Sequence, residues 1–351
     1  MEPVTSTTDP RPTIGITMGD PAGIGPEIVV KALADGDLRH RARYVVYGMN
    51  ELMAYAADLA EISPFWWRVQ HDARRAGPLH RDVVVLDYDE FSILGQTLHQ
   101  PTRQGGEASL AFLGDAIGDC LKPATEAGHI DALVTGPICK ASWRLAGEMR
   151  FPGHTELLQR LTRARRSVMM FHSPRLRVAL ATVHIPLLQL QNTLTIGRVF
   201  DPIDLGHQAC RDLGIDKPRI AVCGLNPHAS EGGLFGDEEE RLIEPAIVAA
   251  REHGIDVHGP FPSDTIFREA AQGRWDLVVA MYHDQGLIPI KLIAFEEAVN
   301  LTLGLPIIRT SVDHGTAFDI VGRNQANADP LKAAIRLADQ LCRTRQRVRT
   351  D

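Results

Sequence analysis

Short apolar runs alternate with longer stretches of helical period along the whole chain, a pattern that predicts an α/β fold with a largely parallel sheet. The apolar runs read as strands over Thr13–Met18, Arg43–Tyr47, Asp82–Leu86, Asp131–Thr135, Ser167–Phe171, Leu176–Val183, Arg219–Cys223, Asp276–Met281 and Pro306–Thr310. Helical patterns fall over Gly25–Ala34, Ala108–Leu121, Glu156–Thr162, Asp237–Glu252 and Asp329–Leu341, the last opened by Asp329 as cap and Pro330 in the first turn. The segment Ser63–Arg81 fits neither period and reads as an irregular insertion.

From residue 131 onward the predicted strands run into clusters of Gly, Pro, His, Asn or Asp: Gly136-Pro137, His184, Gly224-Leu225-Asn226-Pro227-His228, Tyr282-His283-Asp284-Gln285-Gly286 and Thr310-Ser311-Val312-Asp313-His314-Gly315. Ligands in parallel α/β sheets bind outside the carboxyl ends of strands, so these clusters are expected to converge in one crevice.

The chain has 351 residues, enough for two mid-sized domains, and 44% hydrophobic against 23% charged residues excludes long disorder. A net charge of −7 argues against a nucleic-acid partner. The C-terminal Arg343, Arg345, Arg347 and Arg349 read as a solvated tail. Five dispersed cysteines without a CxxC pair argue against disulfides and cysteine-held zinc. No run approaches the ~20 apolar residues of a membrane helix, and Met1 to Pro12 lacks the pattern of a signal peptide, so the expected location is cytoplasmic.

Gly19-Asp20-Pro21-Ala22-Gly23-Ile24-Gly25 follows a strand and opens a helix, but its spacing is not GxGxxG and no acidic residue ends the second strand, which excludes a Rossmann fingerprint. His184, His228 and His283 each follow a predicted strand. Singly each reads as a satisfied loop residue; together they can hold one divalent metal with positions left open for substrate. Asp264 and Asp284 are carboxylates able to ligate or orient such a site. Lys291, Arg309 and the pair His154-Thr155, after Phe151-Pro152-Gly153, suit a phosphate or carboxylate; alone, Lys291 reads as a surface residue and Arg309 as half of a salt bridge. Cys139 reads as a small structural thiol.

The motifs Gly19-Asp20-Pro21-Ala22-Gly23-Ile24-Gly25-Pro26-Glu27, Gly153-His154-Thr155-Glu156, Leu225-Asn226-Pro227-His228, Met281-Tyr282-His283-Asp284-Gln285-Gly286 and Arg309-Thr310-Ser311-Val312-Asp313-His314-Gly315-Thr316-Ala317, in this order, resemble the 4-hydroxythreonine-4-phosphate dehydrogenases over about residues 13 to 342. The resemblance implies two α/β/α domains of the isopropylmalate-dehydrogenase type with a cleft between them. Residues 1–140 plus 300–351 would form the NAD-binding domain, and 141–299 the metal, substrate and dimer domain. It implies a homodimer whose active site is completed by the partner subunit. Its metal ligands fall on His184, His228 and His283, holding Zn, Mg or Co. Its substrate contacts fall on His154, Thr155, Lys291, Asn300 and Arg309, and its nearby acid on Asp264. NAD, or NADP, would be held by loops at Asn300–Leu305 and Asp313–Ala317, with Asn300, Leu303, Gly304, Asp313, Gly315 and Thr316 as contacts.

The implied reaction oxidises 4-phosphooxy-L-threonine at C3 and decarboxylates the keto acid, with Lys291 as proton relay and Asp264 as a nearby acid of the site. The 4-phosphates of D-threonate or D-erythronate are alternative substrates. Two departures bear on that choice: Cys139, and Phe295-Glu296-Glu297-Ala298 ahead of Val299-Asn300. A phosphate acyltransferase would need no metal, and a sugar-acid binding protein no histidine triad.

Overall fold

A computed structural model describes residues 11–73, 81–91, 99–151 and 153–350. In chain order the elements are β1 (Thr13–Thr17), α1 (Gly25–Leu33), α2 (Gly36–Arg41), β2 (Arg43–Gly48), α3 (Asn50–Leu59), β3 (Trp67–Gln70), β4 (Val83–Asp87), α4 (Arg103–Leu121), β5 (Ala132–Thr135) and α5 (Lys140–Leu145). They continue with α6 (His154–Leu161), β6 (Val168–His172), β7 (Arg177–Leu180), α7 (Leu190–Thr193), α8 (Ile196–Asp212), β8 (Ile220–Cys223), α9 (Glu244–Glu252), β9 (Val257–Phe261), α10 (Ser263–Ala271), β10 (Leu277–Ala280), α11 (His283–Ala294), β11 (Val299–Leu303), β12 (Ile308–Ser311) and α12 (Asp329–Thr350).

The twelve strands of the described residues join one sheet in the order β3-β4-β2-β1-β5-β12-β11-β6-β7-β10-β8-β9. Strands β4, β5, β8 and β10 are buried at every position, the consequence of helices packed on both faces of parallel strands. Strand β11 pairs antiparallel with both β12 and β6, and β6 antiparallel with β7. These three reversals turn the parallel group β7-β10-β8-β9 against the parallel group on the other side. The strand-end clusters after β5 and β12 therefore leave the sheet in one direction and those after β7, β8 and β10 in the other. Among the described residues these clusters do not share one edge of the sheet, and helices α6 and α11 carry residues between the two sets.

Two other expectations change. Within Ser63–Arg81 the residues Trp67–Gln70 form an edge strand against β4 and residues 71–73 a 3-10 turn, while 74–80 lie outside the described residues. Asn300–Leu305 is not a loop. Its first four residues lie in β11 at the centre of the sheet, with Val299, Leu301 and Leu303 buried on one face and Asn300 and Thr302 turned to the other. No helix of the described residues is long and apolar enough to cross a membrane.

Candidate active site

Arg309, near the middle of β12, is 2% exposed, and among the described residues no carboxylate pairs with it. Its guanidinium donates from Nε and Nη2 to Thr135 Oγ1 at 3.2 and 2.7 Å and from Nη1 to Thr302 Oγ1 at 2.9 Å. Burial pushes it down to about 9. A cation desolvated between two hydroxyls, with no counter-ion, is a site prepared for an anion.

His154 opens α6 close by, its ring edge-on to Trp143 with centroids 5.7 Å apart. Its Nε2 is buried and has no partner among the described residues. Burial first, then Arg309 and Lys140, hold its imidazole well below the usual histidine range, so it stands neutral. Lys140 is exposed, and its Cε approaches to 3.6 Å of the place a Cβ on Gly153 would occupy. Thr155 is the next residue of α6, half-buried, and Pro152 lies outside the described residues. Asn300 Oδ1 is a further buried acceptor without a partner.

Two residues along, α6 reaches the histidines. Glu156 Oε1 lies 4.0 Å from His184 Nδ1. Burial raises the Glu156 carboxyl, but His184, its own backbone amide and Lys140 outweigh that and hold it below the usual carboxylate range. The rings of His184 and His283 have centroids 5.8 Å apart and share a recess of about 300 Å³ with Tyr282 and Leu187. His283 Nδ1 is 2.7 Å from Asp284 Oδ1, which orients the ring and leaves Nε2 for a ligand.

His228 stands apart from that pair. It lies on an exposed turn where His228, Ala229, Ser230 and Glu231 all have positive φ, between 47° and 68°. A left-handed run without glycine is costly and persists only where its surroundings enforce it. Glu239 does so: 1% exposed, its Oε1 accepts from the amides of Leu225 and Asn226, both at 2.7 Å, and its Oε2 from Asn226 Nδ2 at 2.9 Å. Gln285 joins the remaining pieces. Its Oε1 accepts from Met281 N at 2.6 Å, and its Nε2 donates to Gly224 O and to Ser263 Oγ, both at 2.8 Å. One amide thus fixes the loop before His228, the start of α10 and the start of α11.

Lys291, two turns along α11 from His283, pairs with Asp313 Oδ2 at 2.9 Å. Eight residues of helix separate Lys291 from His283, roughly 12 Å. Asp264 is exposed and lines a different groove, between α10 and α11 beside Ile288 and Leu292, so one chain does not bring it to Lys291. On the β12 side, Thr316 is buried and accepts Ile24 N at its carbonyl, while Gly315 is exposed and His314 Nε2 is buried without a partner. Leu303 is in the core, and Gly304 turns the chain out of β11 at φ 81°.

The sequence therefore points to two clusters that α6 links, an anion pocket around Arg309 and a histidine pair. Among the described residues no three His, Cys, Asp or Glu side chains come together as a metal cage, so the expected triad does not close within one chain. Glu239, Gln285, Thr135 and Thr302 are not singled out as site residues by sequence reasoning. For Gln285 the signal is present, as a polar residue within Met281-Tyr282-His283-Asp284-Gln285-Gly286.

A family model described as pyridoxal phosphate biosynthetic protein PdxA matches residues 40–338. A 4-hydroxythreonine-4-phosphate dehydrogenase of Geobacter metallireducens is 44% identical over 337 residues, 95% of this chain and 97% of its own. A D-threonate 4-phosphate dehydrogenase of Salmonella typhimurium is 42% identical over 339 residues, covering 94% and 98%. The crystal structure of a 4-hydroxythreonine-4-phosphate dehydrogenase from Klebsiella pneumoniae superimposes with a TM-score of 0.81 at 39% identity, covering 94% of this chain and 99% of that one. With five ordered motifs, the α/β fold and near full-length identity in agreement, this chain belongs to the pyridoxal phosphate biosynthetic PdxA family of dehydrogenases.

Proposed function

We propose that the protein oxidises 4-phosphooxy-L-threonine at C3 with NAD and lets the resulting β-keto acid lose CO2, giving 3-amino-2-oxopropyl phosphate. The observation that carries this is the buried Arg309, with no carboxylate paired to it among the described residues, beside the neutral His154, a cation and a ring suited to an anionic substrate group. His154, Thr155, Asn300 and Arg309 bind and orient the phosphate and carboxylate ends. Lys291 Nζ holds and passes a proton at the reacting hydroxyl, with Asp313 fixing its position.

His184 and His283 fit two ligands of a divalent cation, Zn, Mg or Co, and the third position falls to His228 across an interface between two copies. Exposed Leu188, Leu234, Ile288, Leu292 and Phe295 on the histidine loops and α11 support such a homodimer, and a copy bound there also covers Asp264. The unpartnered His314 Nε2 and Asn300 Oδ1 fit a polar cofactor held by Gly304, Asp313, Gly315 and Thr316, with 1–140 plus 300–351 as its domain and 141–299 as the other. When bound, the metal supplies Lewis acidity at the hydroxyl, and NAD or NADP the hydride acceptor. The five cysteines are free thiols, in keeping with a cytoplasmic enzyme.

D-threonate and D-erythronate 4-phosphates are the second reading, the first of them favoured by the Salmonella relative. Turnover of the three phosphates side by side, with NAD and each metal, decides: a tenfold preference for a hydroxy acid, about 1.4 kcal/mol in transition-state binding, refutes the amino-acid substrate. His184→Ala, His228→Ala and His283→Ala should each lose bound metal with the fold kept; full metal content in any one removes that residue.

A further inference from the structure

On the face of the sheet away from Arg309 the molecule has a cluster of arginines around a cavity. Val299 and His172 are paired directly across β11 and β6 and so share a face, whereas Asn300 next in the chain points to the other. Over Val299 and His172, beneath α12, lies a cavity of about 640 Å³. Its lining carries four arginines, Arg41, Arg336, Arg343 and Arg347, against one carboxylate, Glu297. The three on α12 fall at i, i+7 and i+11, one stripe of the helix, so this part of the C-terminal basic run is not a solvated tail. Arg345 turns elsewhere, to Asp212.

Two of these guanidinium groups are held in place. Asp339, fully buried, accepts from Arg41 Nε at 2.9 Å on one oxygen and from Arg343 Nε at 2.8 Å on the other. Arg343 Nη2 also donates to the Arg41 carbonyl at 2.6 Å. Anchoring through Nε leaves both terminal nitrogens of Arg41 and Nη1 of Arg343 without partners among the described residues. Planar forks fixed in this way match the oxygens of a phosphate better than flexible lysines would. Arg336 is tied only at 3.5 Å, to Asp35. His172 contributes a buried ring nitrogen, Nδ1, with no partner.

We propose that this cavity is a binding site for a small phosphorylated anion, separate from the catalytic pocket. The arginines take the phosphate and the apolar floor takes the carbon skeleton. The volume is within the ~300–1,000 Å³ typical of metabolite sites. Because Val299 lines it and Asn300 faces the catalytic pocket, an occupant here touches the strand that carries a substrate contact.

The test is titration calorimetry of the full chain with inorganic pyrophosphate, with hydrogen exchange as the local readout. Wild type should bind, and binding should slow exchange in peptides covering 168–174 and 336–347. Arg343→Gln should weaken binding at least tenfold and abolish that protection, with turnover unchanged. Should Arg343→Gln fail to fold, Arg336→Gln leaves both Asp339 contacts in place and should weaken binding at least threefold. Unchanged affinity in the folded variants, protection confined to peptides around Arg309 and His154, or full displacement by chloride at equal ionic strength would each overturn the proposal.

Discussion

Replacing Arg309 by methionine should make the protein more stable and unable to bind its substrate. Burial pushes the guanidinium down to about 9, and at ~1.4 kcal/mol per tenfold change in proton affinity the distance from a solvated arginine is on the order of 5 kcal/mol against the cation. The three hydrogen bonds to Thr135 and Thr302 return part of this. Methionine fills a similar volume and carries no charge, and the two hydroxyls it leaves can rotate. By analogy with other buried ions exchanged for apolar side chains, Arg309→Met should gain about 1–3 kcal/mol. Urea unfolding followed by circular dichroism reads this as a higher midpoint at unchanged slope. Calorimetry with 4-phosphothreonine should show binding weakened at least a hundredfold, the loss of a charged, desolvated contact of about 3 kcal/mol or more. A folded Arg309→Met that is destabilised by 2 kcal/mol, or one that keeps its substrate affinity, would refute the reading of Arg309 as a cation held for an anion.

Lys291→Ala should lower kcat by about a hundredfold or more, with a smaller effect on KM; Asp313→Asn should lower it less, and not further once Lys291 is gone. Additive losses across those four proteins would separate Asp313 from Lys291. His172 is held down to about 3 by burial and then by Arg177, so below the usual histidine value the unfolded chain takes a proton that the folded one refuses. Stability should therefore fall by about 2 kcal/mol between pH 7 and pH 5, and urea unfolding of His172→Phe should lack that part of the slope; an identical pH dependence would count against it. Gln285→Leu strands Met281 N and removes one donor to Gly224 O, which should cost about 2–4 kcal/mol and depress turnover; a loss below 1 kcal/mol would show that Gln285 does not brace the three loops.

Periodicity located the buried parallel strands because each is a continuous apolar run between turn residues. It failed where tertiary contacts override local preference. Helix α8 contains Gly197, Pro202 and Gly206, which argue locally against a helix. Gly206 lets the helix pack closely there, since a Cβ would sit 2.3 Å from Leu277 Cδ2 and push that side chain aside. Pro289 disguises α11 in the same way. In β11 the alternation of Val299, Leu301 and Leu303 with Asn300 and Thr302 is legible as a strand, whereas the loop expected at Asn300–Leu305 rests on the family resemblance and not on the pattern. The histidines and Arg309 were legible as types. That Arg309 has no counter-ion, that His184 meets His283 while His228 does not, and that Glu239 enforces a left-handed turn depend on contacts between residues far apart in sequence.

The route of the chain through the sheet has a consequence for the order of synthesis. Strand β5 ends at Thr135, but the neighbour that completes its hydrogen bonding, β12, begins only at Ile308, and α12 follows from Asp329. As the chain leaves the ribosome, β1, β2, β4 and β5 emerge early with one edge of β5 open, and it stays open while some 170 residues of the other half are made. Contacts of such sequence separation form late. The first half therefore cannot close until β12 has emerged, and its exposed edge must be kept from pairing with other chains until then.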